Sequence, residues 1–105
     1  MAQRPEHCAL CERSLPLQFH HLIPRRNHRR KSYQRRFSLE EMRTRGIWVC
    51  RDCHRAIHRF FDQGQLGLVL NTLEALAATP ELQRHVEWAR RQRHVEWARR
   101  QRRVS

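Results

Sequence analysis

The chain has 105 residues, enough for one domain with a modest core, and no apolar run approaches the roughly 18–20 residues that span a bilayer. It carries 22 Lys and Arg against 10 Asp and Glu, a net charge of +12, which implies a polyanionic partner, most simply nucleic acid, while the lack of an apolar run argues against a membrane protein. Every basic residue except Lys31 is arginine; its fork suits phosphate and guanine, although a GC-rich genome would also favour arginine. The first residues, MAQRPEHCAL, contain no apolar core of a signal peptide, so a cytoplasmic protein is expected. In that reducing setting four cysteines favour metal over disulfides.

In chain order, CALC at 8–11 forms a knuckle of two cysteines. LQFHHLI at 17–23 reads as a strand closed by Pro24. RRNHRRKSYQRR at 25–36 has basic side chains and no acidic one, and is expected to be an exposed loop or irregular insert. Tyr33 or Phe37 there either stacks on a partner or anchors the loop. SLEEMRTR at 38–45 predicts a short helix with Ser38 as cap and Glu41 three residues on, ended by Gly46. IWVC at 47–50 predicts a second strand. Residues 51–62 carry Cys53, Ile57, Phe60 and Phe61 at helical spacing, and Gly64 and Gly67 then break the chain. Segment 66–70 is too short to assign. Asn71 and Glu74 suggest a cap for a helix over 71–78, and Thr79 with Pro80 starts a last helix running to about Arg103.

Cys8-x2-Cys11 and Cys50-x2-Cys53 are matched pairs. Each turn presents two thiolates, and two turns complete a tetrahedron, so a structural zinc is expected. Such a closed site does no chemistry. Four histidines stay free of it. His54 and His58, four apart on one helix, share a face, and His54 directly follows a zinc ligand. His20 and His21 lie on the first strand. A lone helical histidine is usually just solvated, but two pairs beside a zinc scaffold point to a second, open metal site.

The combination C-x2-C, HHLIP, C-x2-CH-x3-H resembles the zinc-containing HNH endonucleases, the ββα-metal nucleases, over Cys8 to His58. The resemblance implies an α+β fold: a small ββα-metal, treble-clef-like core stapled by the four-cysteine zinc and followed by C-terminal helices. Residues 1–64 would form the nuclease core with the insert 25–36, and 65–105 a helical extension in the same domain or as an arm. It implies that His20 and His54 ligate a catalytic divalent cation, that His58 is a further ligand or phosphate contact, and that His21 is the general base. The reaction would be hydrolysis of DNA phosphodiester bonds to a 3′-hydroxyl and a 5′-phosphate, with RNA not excluded as a target. Strand alternation sends His20 and His21 to opposite faces, but the order comes from the resemblance.

Two departures stand out. His20 occupies a position where many members carry aspartate, and an all-histidine site suits Zn²⁺, Ni²⁺ or Mn²⁺ better than Mg²⁺. The middle Asn of the family pattern is missing near Arg45, leaving Asn27 or the insert backbone to orient His21. A neutral imidazole with a pKa of about 6.5 is a suitable base at neutral pH. Arg25, Arg26, Arg29, Arg30, Lys31, Arg35 and Arg36 would contact phosphates, unless they form only a solvated loop. The alternative to an enzyme is a non-catalytic zinc-stapled module of the same fold that binds DNA or RNA.

QRHVEWARR occurs at 83–91 and again at 92–100. A step of nine residues is 2.5 turns, so the copies face opposite ways along one helix. The first copy is expected to dock on the core. The second would extend the helix, with Trp97 exposed or buried against another chain in self-association, and its arginines could lie along DNA. An accidental, tolerated duplication explains the repeat equally well.

Overall fold

The computed structural model describes residues 5–92. It is a small α+β structure in which two antiparallel strands, β1 (Leu17–His21) and β2 (Gly46–Cys50), carry several helices. Leu17 pairs with Cys50 and His21 with Gly46, so the Cys50 end of β2 meets the start of β1 and the histidine pair lies at the other end. The knuckle is fastened to this sheet, because the Ala9 N–H donates to the Trp48 carbonyl at 2.9 Å.

The chain between the strands is not an irregular loop. It folds as a 3₁₀ helix (Arg25–Arg29), α1 (Lys31–Arg36) and α2 (Leu39–Thr44). These close on a cluster of Ile23, Tyr33 and Met42, with Phe37 packed against it. Tyr33 is buried and is an anchor, not a stacking platform. Buried Asn27 donates through Nδ2 to the Tyr33 hydroxyl at 3.3 Å and to the Gln63 carbonyl at 3.0 Å, so it ties the insert to the next segment and is not the tether sought for His21. Ser38 caps α2 as expected by accepting from the Glu41 N–H. Gly46 does not end that helix; Arg45 does, and Gly46 opens β2.

Directly after β2 the chain turns into α3 (Arg51–Phe60), whose buried Cys53, Ala56 and Ile57 face the sheet and the last helix. The glycines that follow do not break the chain. Asp62 and Gln65 form a complete capping box for α4 (Gln63–Leu68). Gly67 lets α4 approach the insert: a Cβ there would stand 2.6 Å from the Tyr33 hydroxyl. Thr72, not Asn71, caps α5 (Leu73–Ala77), while the Asn71 side chain reaches back to the Gly67 carbonyl. Thr79 and Pro80 start α6 (Pro80–Arg91). Leu82 and Ala89 of α6 are fully buried in the cluster that holds the four cysteines and Ile57, with Val86 packed against it. The first repeat copy therefore docks on the core. Its Trp88 does not, being 49% exposed. Beyond Gln92, the second copy with Val95 and Trp97 lies outside the described residues, as does any self-association through it. Among the described residues no helix is long and apolar enough to cross a membrane.

Gly46 is a point of close approach. A Cβ there would run into the Phe19 ring and come within 2.7 Å of the His20 carbonyl oxygen. Overpacking of this kind costs about 1–3 kcal/mol. Gly46→Ala should therefore lower the midpoint of urea unfolding with an unchanged m-value, measured by circular dichroism on the zinc-loaded protein.

Candidate metal centres

The four cysteines are all buried and free of disulfides, and their sulfurs lie within 4.8 Å of one another. Sulfurs 2.3 Å from a common zinc at the corners of a tetrahedron stand about 3.8 Å apart. The Cys11 and Cys50 sulfurs, one from each pair, are separated by 3.8 Å. The cluster is thus already dimensioned for a structural zinc-like ion. Local backbone shapes the knuckle: the Leu10 and Cys11 N–H groups donate to the Cys8 sulfur at 3.4 and 3.5 Å, and Glu12 takes the left-handed conformation (φ 65°) that turns the chain away.

Without a cation these thiols compete for protons. Hydrogen bonds from Cys11, then Cys50 and Cys53, hold Cys8 far below the ordinary thiol range, and those to Cys50 and Cys53 bring Cys11 down to about 6. Interactions with Cys11 first of all push Cys50 and Cys53 up. Two easily ionised thiols beside two resistant ones are what mutual repulsion produces; a dication removes the conflict.

A residue that motif reading passed over completes this centre. Arg13 is 1% exposed, and it donates through Nε to the Cys11 sulfur at 3.2 Å and through one terminal nitrogen to the Cys50 sulfur at 3.5 Å and to Asp52 Oδ2 at 3.2 Å. Burial opposes its charge, but the Cys11 hydrogen bond and the neighbouring thiolates and Asp52 outweigh burial and raise its pKa. Arg13 stitches the knuckle to β2 and the first turn of α3. Only its position two residues after a CxxC pair hinted at this.

On the opposite edge of α3, His54 and His58 meet His20 of β1. The three offer one nitrogen each within 4.8 Å of one another. Two nitrogens bound to one tetrahedral ion at about 2.05 Å would stand about 3.3 Å apart; His54 Nε2 and His58 Nε2 are 3.2 Å apart. His20 is 1% exposed, and neither of its ring nitrogens has a hydrogen-bond partner among the described residues. A buried imidazole left so costs about 1–3 kcal/mol, which a coordinated ion would offset. Burial first, then the neighbouring His54, His58 and His21, push His20 down to about 3, and burial also lowers His54 and His58. All three favour the neutral state that a metal ligand requires. His54 Nδ1 lies 2.8 Å from Gln18 Oε1, so its Nδ1–H donates there and Nε2 is left as the ligand atom. Gln18 was also missed, although it sits two residues before His20 on the same strand face.

His21 faces the other side of β1. Its ring stands edge-on to Phe19 at 4.9 Å and 6.2 Å from the His28 ring. The Leu22 N–H donates to the Arg45 carbonyl at 3.0 Å, fixing the chain just after His21. His21 lines an open cavity of about 730 Å³ with Arg25, Arg26, His28, Arg29 and Arg43. Burial, then His28 and Arg25, lower its pKa. The structure divides the basic insert: Arg25, Arg26 and Arg29 share this cavity, whereas Arg30, Lys31, Arg35 and Arg36 are exposed outside its lining. Arg43 joins from α2, a contribution hidden in sequence by its distance from the basic run.

Over 85 residues the chain is 35% identical to the Bacillus subtilis (strain 168) protein described as "Uncharacterized protein YisB", a match spanning 80% of this chain and 73% of that protein. The chain belongs to the YisB family. No family model and no solved structure matches it.

Structural zinc in small sites is worth about 10–16 kcal/mol, as much as the whole stability of a domain. Cys50→Ser should therefore leave this YisB relative unfolded or aggregated, seen as loss of cooperative thermal unfolding. His54→Ala, on the other metal cluster, should fold and retain one tightly held zinc by elemental analysis.

Proposed function

We propose that the protein is a metal-dependent HNH-type endonuclease that hydrolyses DNA phosphodiester bonds. The observation that carries this reading is the pairing, on the two faces of one strand, of a three-histidine cluster with a histidine that opens into an arginine-lined cavity. On this reading β1, β2 and α3 would be the ββα-metal core that the resemblance implies, and the four-cysteine cluster its zinc staple. His20, His54 and His58 would hold one divalent cation, and the orphaned, neutral nitrogens of His20 fit that role. When bound, the cation supplies charge relief to a phosphate oxygen and to the departing 3′-oxygen.

The chain's own residues do the rest. His21, kept neutral by burial, takes the proton of the attacking water. It stays off the cation because alternation turns it away from His20, and a coordinated imidazole could not accept a proton. Arg25, Arg26, Arg29 and Arg43 hold the phosphates around the cavity and orient the strand without reading bases. The role of the missing middle Asn falls to the backbone: Arg45, near that position, binds the N–H that follows His21. All-imidazole ligation favours Mn²⁺, Ni²⁺ or Zn²⁺ over Mg²⁺.

Supercoiled plasmid incubated with purified protein and each cation tests the reading. Wild type should nick it, and His21→Ala should be slower by about 10²–10⁴-fold, the usual worth of a general base. Wild type and His21→Ala equally inert with every metal would leave only a DNA- or RNA-binding module. Gln18→Ala should weaken Ni²⁺ binding at the three-histidine site by about 10–100-fold in calorimetric titration, with the structural zinc retained.

A further inference from the structure

Across α3 from the histidine cluster lies a second concave surface. It is a groove of about 590 Å³ between α3 and α6, lined by Arg55, Arg59, His85 and Trp88, with Asp52 and Ala56 at its base. Arg55 and Arg59 follow His54 and His58 by one residue each, so they stand about 100° around the same helix from the proposed cation ligands. Both are exposed, and the one acidic group of the groove, Asp52, already receives the Arg13 guanidinium. The groove is therefore cationic. Trp88, though large and apolar, is 49% exposed, with its ring 5.6 Å from that of His85 and tilted by 38°. His85 Nε2 is buried and has no hydrogen-bond partner among the described residues. Among the described residues the groove thus combines two guanidinium groups with no ion-pair partner, a half-exposed indole and an imidazole nitrogen with no hydrogen-bond partner.

We propose that this groove binds a single-stranded segment of DNA, with phosphates on Arg55 and Arg59 and an unpaired base stacked on Trp88 beside His85. Phosphate charge complements the two arginines, and the indole supplies the sequence-tolerant stacking platform used for unpaired bases. A base inside a duplex has no free face for Trp88, and a cavity of this volume falls in the range of about 300–1,000 Å³ that holds small ligands, not a double helix. The inference deepens the nuclease reading and rests on it for its consequence. A strand cut at the three-histidine cluster would continue over α3 into the groove, so the preferred substrate would carry an unpaired stretch next to the scissile bond. Nothing in the family motifs covers this surface, since Trp88 and His85 belong to the first copy of the repeat.

The test is fluorescence anisotropy with the full-length, zinc-loaded protein, using labelled oligothymidine and a duplex of equal length in buffer without added divalent cation. Trp88→Ala should weaken oligothymidine binding by about tenfold, within the range of one lost base stack, and change duplex binding less than about twofold. Trp88→Phe, which keeps a stacking ring, should retain most of the affinity. Arg55→Gln with Arg59→Gln should reduce the slope of log K against log salt for the single strand by about 1.4, the share of two phosphates. Wild-type oligothymidine affinity in Trp88→Ala, or equal losses on both DNAs, would overturn the assignment. Plasmid nicking is scored separately on the same variants. If wild type binds single strands through Trp88 but nicks nothing, the groove stands and the nuclease reading falls.

Discussion

The four sulfurs of Cys8, Cys11, Cys50 and Cys53 occupy a space too small for four negative charges unless a cation shares it, and the knuckle, β2 and α3 all meet at that cluster. A chain with this much positive charge repels itself, and its buried apolar set is modest. An ion held by these thiols would close a long loop, from the knuckle before β1 to the first turn of α3. Arg13 reinforces the closure by placing a buried positive charge against two of the sulfurs and Asp52. Removing that guanidinium would leave the charge of two buried sulfurs without its buried partner, a costlier loss than an exposed ion pair such as Arg90 with Glu12.

From this anchor the sheet register sets the chemistry. Pairing Leu17 with Cys50 puts His20 opposite Ile47 and His21 opposite Gly46. A one-residue slip would exchange the two histidines between faces, putting His21 against α3 and His20 into the arginine cavity. The absence of a side chain at Gly46 makes room for the Phe19 ring, and Phe19 in turn meets His21 edge-on. One strand therefore serves two environments: a dry side that strips water from His20 and a wet, basic side that receives His21.

Much of this was legible in the sequence because the informative residues are chemically scarce. The spacings of Cys8, Cys11, Cys50, Cys53, His54 and His58 each dictate a shared turn or helix face, and both clusters appear in the structure. The caps at Ser38, Thr79 and Pro80 could be read for the same local reason. What escaped depended on tertiary context. The insert reads as irregular in sequence because its arginines mask Tyr33 and Asn27, both of which the fold buries. The helix α4 was hidden by Gly64 and Gly67, although Asp62 and Gln65 announce its start; Gly67 is there for close packing, not for breaking the chain. Arg13 and Gln18 carry no motif, and their importance comes only from what folding places beside them.

Cys53 and His54 are neighbours in the chain, and one belongs to each metal cluster. Both lie within the hydrogen-bonded turns of α3, which keeps them from moving independently. The position of His54 relative to β1 is therefore inherited from the thiolate cluster, as is that of His58 one turn further along α3. During synthesis, Cys8 and Cys11 emerge long before Cys50 and Cys53, and until the last two arrive there is no tetrahedron and no fixed frame for α3. If the thiols hold a metal, a chain left without it or oxidised at sulfur would lose the frame that brings its three imidazoles together.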